Sequence, residues 1–244
     1  MTVSFGWGPV GARVLAPAAA CVVVVDVLSF TTAVGVAVEG GAAVLPYRWK
    51  DATAAAYARE KDAVLAVGRR EATEAHPWSL SPAALRTAPV PMPDRLVLPS
   101  PNGSTIAAEA AARGVTVVAA SLRNHSAVAR RLVDGGYGTA DRPLAVIASG
   151  ERWPDGSLRP ALEDLLGAGA VLSALRGTHP LTPEATAAAT LWDATEDPVA
   201  ALHGCDSGRE LYEYGFPQDV AVAAELDRST AVPVLVDGAF QEAP

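Results

Sequence analysis

Val22-Val23-Val24-Val25-Asp26-Val27-Leu28-Ser29-Phe30-Thr31-Thr32 is the stretch from which the fold of this chain can be read. Four consecutive β-branched residues read as a strand buried on both faces, the habit of a parallel sheet. Asp26 ends that strand, and Thr31 and Thr32 offer N-caps to a helical pattern that begins at Ala33. Open α/β sheets bind ligands where strands end and helices begin. A carboxylate there is well placed for chemistry, although an Asp at a strand end is often only a turn or cap residue. The same grammar of strand, polar loop and helix recurs downstream, and that favours the functional reading.

Working outward, further strands are expected at 42–45, 63–67, 96–98, 115–119, 144–148 and 232–236. Helices are expected at 33–39, 50–61, 106–113, 126–134, 161–175, 183–192, 198–202, 209–214 and 218–226. Residues 73–93, interrupted by prolines at 77, 82, 89, 91 and 93, read as an irregular surface excursion with one helical turn near 82–86. Alternating strands and helices specify an α/β fold, a largely parallel or mixed sheet with helices on both faces. No repeat or low-complexity linker divides the chain, so residues 1–244 are expected to form a single unit.

Half of the 244 residues are hydrophobic and 19% are charged, a globular composition with ample material for a core. A net charge of -8 argues against general binding to nucleic acid, which needs a basic face. The N-terminus carries no signal-peptide pattern and no apolar run reaches membrane-spanning length. The two cysteines, Cys21 and Cys205, form no CxxC pair and read as reduced thiols of a cytoplasmic protein. The four histidines, His76, His125, His179 and His203, show no ligand spacing.

Asn102-Gly103-Ser104-Thr105, just ahead of a helix, is the best anion site in the sequence. Its hydroxyls and backbone N–H groups are expected to cradle an oxyanion at the positive end of that helix. Arg69 and Arg70 add planar donors suited to phosphate or sulfonate. Glu163 and Asp164 open another helix, where the dipole favours carboxylates in any case. With Asp26 they make the oxygen-only set that Mg²⁺ prefers, and the loop from Ser149 to Ser157 would cover the site. Asp206 and Asp219 are weaker candidates. No H-E-x-x-H, G-x-S-x-G or Walker element is present.

The ordered set of these motifs resembles the ComB family of 2-phosphosulfolactate phosphatases. The matching stretches are Val25-Asp26-Val27-Leu28 with Thr31-Thr32, Asn102-Gly103-Ser104, Leu162-Glu163-Asp164-Leu165-Leu166 with Ala168-Gly169, and a tail of Gly215, Asp219-Val220, Asp227 and Val232-Pro233. The resemblance implies a Mg²⁺-dependent phosphoric monoester hydrolase that converts 2-phosphosulfolactate to sulfolactate and phosphate. Two departures stand out. Ser29-Phe30 replaces the family's usual Arg-Ala, and Gly68-Arg69-Arg70-Glu71 replaces its usual Gly-Glu-Arg.

On this reading Asp26, Glu163 and Asp164 are catalytic and hold the metal. Asn102, Gly103, Ser104 and Thr105 take the phosphoryl group, and Arg69 or Arg70, with Ser29 and Thr31 nearby, takes a second anionic group. An activated water attacking phosphorus in line needs no covalent residue; attack by Asp26 through an aspartyl-phosphate is the other route. The rival from another class is a non-catalytic binding protein of the same fold with an anion pocket for a small acidic metabolite. A homodimer is a common arrangement for enzymes of this size.

Overall fold

The computed structural model describes residues 2–48, 51–88 and 90–243, and in it the strand at Val22–Val25 extends by one residue to β2, Cys21–Val25. Every residue of β2 is buried, as expected of an inner strand covered on both faces. The alternation is plain: Val22 and Val24 face one hydrophobic cluster, Cys21, Val23 and Val25 the other.

In chain order, β1 (Val3–Trp7) and α1 (Gly8–Leu15) precede β2, and α2 (Phe30–Glu39) follows it. Then come β3 (Ala43–Tyr47), α3 (Ala52–Glu60), β4 (Val64–Leu65), α4 (Pro82–Thr87), β5 (Arg95–Pro99) and α5 (Gly103–Ala111). Next are β6 (Thr116–Ala120), α6 (His125–Asp134), β7 (Leu144–Ala148), a small hairpin of β8 (Glu151–Arg152) and β9 (Leu158–Arg159), and α7 (Leu162–Leu175). The tail holds α8 (Pro183–Ala194), α9 (Pro198–Gly204), α10 (Asp206–Glu213), α11 (Pro217–Ala223), β10 (Pro233–Val236) and β11 (Ala239–Glu242). The expected start of α3 at Lys50 lies outside the described residues, as does Pro89; Asp51 is the observed N-cap. Among the described residues no helix is long and apolar enough to cross a membrane.

The main sheet has nine strands in the order β1-β7-β2-β6-β10-β11-β3-β5-β4. Two parallel blocks, β1-β7-β2-β6 and β3-β5-β4, flank the antiparallel hairpin β10-β11. Antiparallel pairing on both sides of that hairpin, through Val234 with Val118 and Phe240 with Val44, sets the blocks in opposite directions. Neighbouring strands are rotated by roughly 20–25°, so the five steps from β2 to β5 add roughly 100–125° of twist and offset much of the reversal. The carboxyl ends of β2 and β5 are thereby brought together.

α2 is enclosed by this twisted sheet. Phe30 through Val38 are all buried, and the helix packs on β3, β6, β10 and β11 as well as on α4 and α5. On the same sheet face lie α1, α4 and α5, while α6 and α7 cover the other face of the first block and α3 the other face of the second.

Three expected helix starts are corrected. α2 begins at Phe30, not Ala33, α5 at Gly103, not Ile106, and α10 at Asp206, not Arg209. Thr31 and Thr32 lie inside the first turn of α2, where their hydroxyls donate to the Asp26 and Val27 carbonyls. Ser104 and Thr105 lie inside the first turn of α5 and donate to the Leu98 and Pro101 carbonyls. None of the four is an N-cap, because one carboxylate, that of Asp26, just ahead of α2 and remote in sequence from α5, takes an N–H from the start of both helices. The strands β1, β11 and the β8–β9 hairpin, and helix α1, are additions to the sequence reading.

Gly103 is where the two blocks touch most closely. A Cβ there would lie 2.3 Å from Phe30 Cδ1 and 2.7 Å from Asp26 Oδ2. Gly35, inside α2, is the opposite case, with nothing within 4 Å of an added Cβ. Gly103→Ala is therefore expected to destabilise the fold by about 1–3 kcal/mol through overpacking, lowering the melting midpoint by roughly 2–4 °C for each. Gly35→Ala should instead raise stability by up to about 1 kcal/mol through helix propensity. Thermal unfolding of both variants checks the pair; equal effects would contradict the packing described here.

Candidate active site

Asp26 is 6% exposed and sits between two helix N-termini. Its Oδ1 accepts the Phe30 N–H at 3.0 Å, and its Oδ2 accepts the Gly103 N–H at 3.0 Å. Its backbone is locked as well: Thr31 Oγ1 accepts the Asp26 N–H at 2.9 Å and donates to the Asp26 carbonyl at 2.8 Å. Burial pushes the Asp26 carboxyl above its ordinary range, the Phe30 and Gly103 N–H groups oppose the rise, and repulsion from Glu163 adds to it. Ser149 lies alongside and steadies the charge slightly, yet its buried Oγ is not aligned for a hydrogen bond with any protein group.

α7 brings two more carboxylates from its first turn, Glu163 at 2% exposure and Asp164 at 3%. Asp164 is fully engaged: Oδ1 accepts the Val27 N–H at 2.7 Å and Oδ2 the Gly150 N–H at 2.8 Å. It thus ties the ends of β2 and β7 to α7. Burial, then Glu163 and Asp26, drive its carboxyl well above the usual value. Gly150 adopts φ +67°, and a Cβ there would also meet Leu158 Cδ1 at 2.7 Å, so the turn into the β8–β9 hairpin requires glycine.

That turn delivers a fourth acid, Glu151, which the sequence reading had left inside a covering loop. Asn102 Nδ2 donates to Glu151 Oε2 at 3.0 Å. Burial, followed by the charges of Asp26 and Glu163, pushes the Glu151 carboxyl up to about 7. Arg159 opposes that rise, but its guanidinium is already paired with Glu210, at 2.7 Å and 3.1 Å.

The predicted anion cradle is built differently from the expectation. The Gly103 N–H is used by Asp26, the Ser104 and Thr105 hydroxyls turn back to carbonyls, and Asn102 holds Glu151. The positive end of α5 is met by a carboxylate of the protein itself. Of the two arginines, Arg69 reaches the site: Nη2 donates to Ser29 Oγ, and Nε donates to Asp219 Oδ2 at 2.8 Å. A guanidinium therefore does stand beside Ser29, supplied from the turn after β4. Arg70 is turned away, its guanidinium 4.9 Å from the centre of the Tyr214 ring. Asp206 is an exposed partner of Arg209 and lines a surface pocket together with Glu163 and Arg159. Cys205, its thiol pushed up to about 12 chiefly by burial, caps α10 beside Glu163.

Among the described residues no three His, Cys, Asp or Glu side chains converge as a ready ligand cage. Asp26, Glu151, Glu163 and Asp164 share a field rather than a focus. Their chemistry nevertheless fits a hard cation: the donors are all oxygen, their mutual repulsion is only partly offset by the N–H groups and Arg159, and an unpartnered hydroxyl, Ser149 Oγ, adjoins them.

The family model of 2-phosphosulpholactate phosphatases matches residues 13–238, nearly the whole chain and every side chain just described. The chain belongs to the 2-phosphosulfolactate phosphatase family. Probable 2-phosphosulfolactate phosphatases of Deinococcus radiodurans and Thermus thermophilus are 32% and 30% identical to it, each aligned over 88% of this chain and 87% of their own length. One from Parasynechococcus marenigrum is 31% identical over 86% of this chain and 87% of its own. In this member of the 2-phosphosulfolactate phosphatase family, the sequence motifs at Asp26, Asn102-Gly103 and Glu163-Asp164 lie side by side in space.

Glu151, Ser149 and Arg159 are the residues that sequence reasoning missed. The available signal was Gly150-Glu151 directly after a fully apolar strand, the same strand-end position that singled out Asp26.

The raised carboxyl of Glu151 carries a sign. Folding holds a proton that the unfolded chain releases, so the contribution of Glu151 to stability is fully present below the ordinary carboxylate range and is lost as pH rises through about 7. In EDTA, the melting midpoint of the wild type is expected to drop by several degrees between pH 5 and pH 8, and that of Glu151→Gln by less. Identical slopes for the two proteins would remove Glu151 from the buried cluster.

Proposed function

We propose that the protein is a Mg²⁺-dependent phosphomonoesterase that hydrolyses 2-phosphosulfolactate, or a closely related phosphorylated hydroxy acid, to the hydroxy acid and phosphate. The observation that carries the reading is that buried Asp26, Glu163 and Asp164 and half-buried Glu151 stand close enough to repel one another, with Arg69 hydrogen-bonded to Ser29 at the start of α2. Family membership and the names of the relatives support the same reaction.

Charge supports a cationic cofactor. Two like charges 4 Å apart repel by about 4 kcal/mol near a protein surface, so a phosphate ester meets a prohibitive field unless a cation intervenes. Asp26 and Glu163 are the side chains that would hold it, directly or through water, while Asp164 braces β2 and β7. When bound, Mg²⁺ would neutralise phosphoryl oxygens and lower the pKa of a neighbouring water.

The chain's own groups do the rest. Arg69 holds the second anionic group of the substrate. Asn102 fixes Glu151, a carboxyl that burial makes less acidic than usual, and Glu151 gives a proton to the ester oxygen as its bond to phosphorus breaks and the bond from water forms, then recovers the attacking water's proton from the phosphate. Both Asp26 oxygens already accept backbone N–H groups. An attack by Asp26 itself would uncap a helix, which favours water as the nucleophile.

Phosphate release from 2-phosphosulfolactate should require Mg²⁺ and should stop in EDTA. Asp26→Asn is expected to lose at least about 100-fold in kcat, beyond the cost of disturbing an outer-shell partner, with an unchanged circular dichroism spectrum. Substrate binding without release under every divalent metal tried would establish the non-catalytic binding protein instead. A phosphorylated enzyme trapped by acid quench would replace water with Asp26 as the nucleophile.

A further inference from the structure

Asp219 lies on α11, far in sequence from the other acids, and is completely buried. Its Oδ2 accepts Arg69 Nε at 2.8 Å, while its Oδ1 faces α4, taking the Ser81 hydroxyl and the Ala83 N–H. Arg69 is thereby pinned at Nε by Asp219 and at Nη2 by Ser29. Arg69 also lines a surface pocket of ≈ 400 Å³ with Arg70, Glu71, Tyr214 and Phe216, where Arg70 lies over the Tyr214 ring and Glu71 accepts the Gly68 N–H. A guanidinium with N–H groups left over suits an oxyanion.

A buried ion pair adds little net stability by itself, because desolvation offsets the attraction. Its value here is direction. A free arginine samples many rotamers and loses that freedom on binding; this one is held in advance.

We infer that Asp219 is a positioning residue for substrate selectivity: it aims Arg69 at the second anionic group of the substrate, a sulfonate or carboxylate one or two carbons from the phosphoryl ester. The inference rests on the phosphatase reading and assigns its specificity element. Phosphate esters with no second anion gain nothing from the arrangement.

Asp219→Asn separates the two sides of this carboxylate. The amide oxygen still serves Ser81 and Ala83, but the amide nitrogen cannot accept from Arg69 Nε. For 2-phosphosulfolactate, KM should rise roughly 10- to 100-fold, the loss expected of a charged hydrogen bond, with kcat little changed. For p-nitrophenyl phosphate, which has no second anion, kcat/KM should stay within about 3-fold. Ser81→Ala, which touches only the α4 side, should leave the ratio of the two substrates as in wild type. Should Asp219→Asn fail to fold, Asp219→Glu takes its place, since one added methylene displaces the guanidinium while keeping the charge. Equal losses on both substrates, or none, in an active protein would overturn the inference alone. Wild-type inactivity towards both esters with every divalent metal would overturn the phosphatase reading and the inference with it.

Discussion

One carboxylate caps two helices, and the architecture follows from that. Asp26 ends the central strand of the first parallel block, yet its oxygens serve the first turn of α2 and the first turn of α5, which springs from the second block. Helix N-termini leave N–H groups unsatisfied and carry partial positive charge. Two of them facing one buried acid solve their capping problem and its desolvation problem together. The same contact forces glycine at position 103, because any side chain would strike Phe30. α2 is held at its far end too, where buried Arg123 binds Glu39 at 3.0 Å and Glu225 at 3.2 Å.

The price of this arrangement is electrostatic. Each of Asp26, Asp164 and Glu151 is less acidic than an ordinary carboxyl because burial and mutual repulsion outweigh the hydrogen bonds they receive. Such crowding costs stability, and on the proposed function a bound cation would relieve it. The arginines around the site already have acidic partners, Arg159 in Glu210 and Arg69 in Asp219, and Arg69 is held through Nε and Nη2 alone. Stability and function therefore draw on the same few groups in opposite ways.

The legible parts of the chain were those whose physics is local. A run of buried β-branched residues showed β2, a fully apolar Leu144–Ala148 showed β7, and Glu163-Asp164 marked the first turn of α7. The helix starts at Phe30 and Gly103 were missed because their cap lies elsewhere in the chain, at Asp26. The hydroxyls of Ser104 and Thr105 looked free for a ligand, and local carbonyls claim them. Glu151 escaped notice because a two-residue strand has no periodicity to read. Asp219 looked marginal for a similar reason: its partner Arg69 lies 150 positions away.

The central claim is that the acids gathered around Asp26 exist to hold a cation against which a phosphate can rest. Crystals soaked with Mn²⁺ and orthovanadate, with data collected to locate manganese by anomalous scattering, test it most directly. The account predicts an anomalous peak within direct or one-water reach of both Asp26 and Glu163, with vanadate between it and Arg69. Vanadate bound with no cation near those carboxylates, or manganese held at some other face of the molecule, would contradict it.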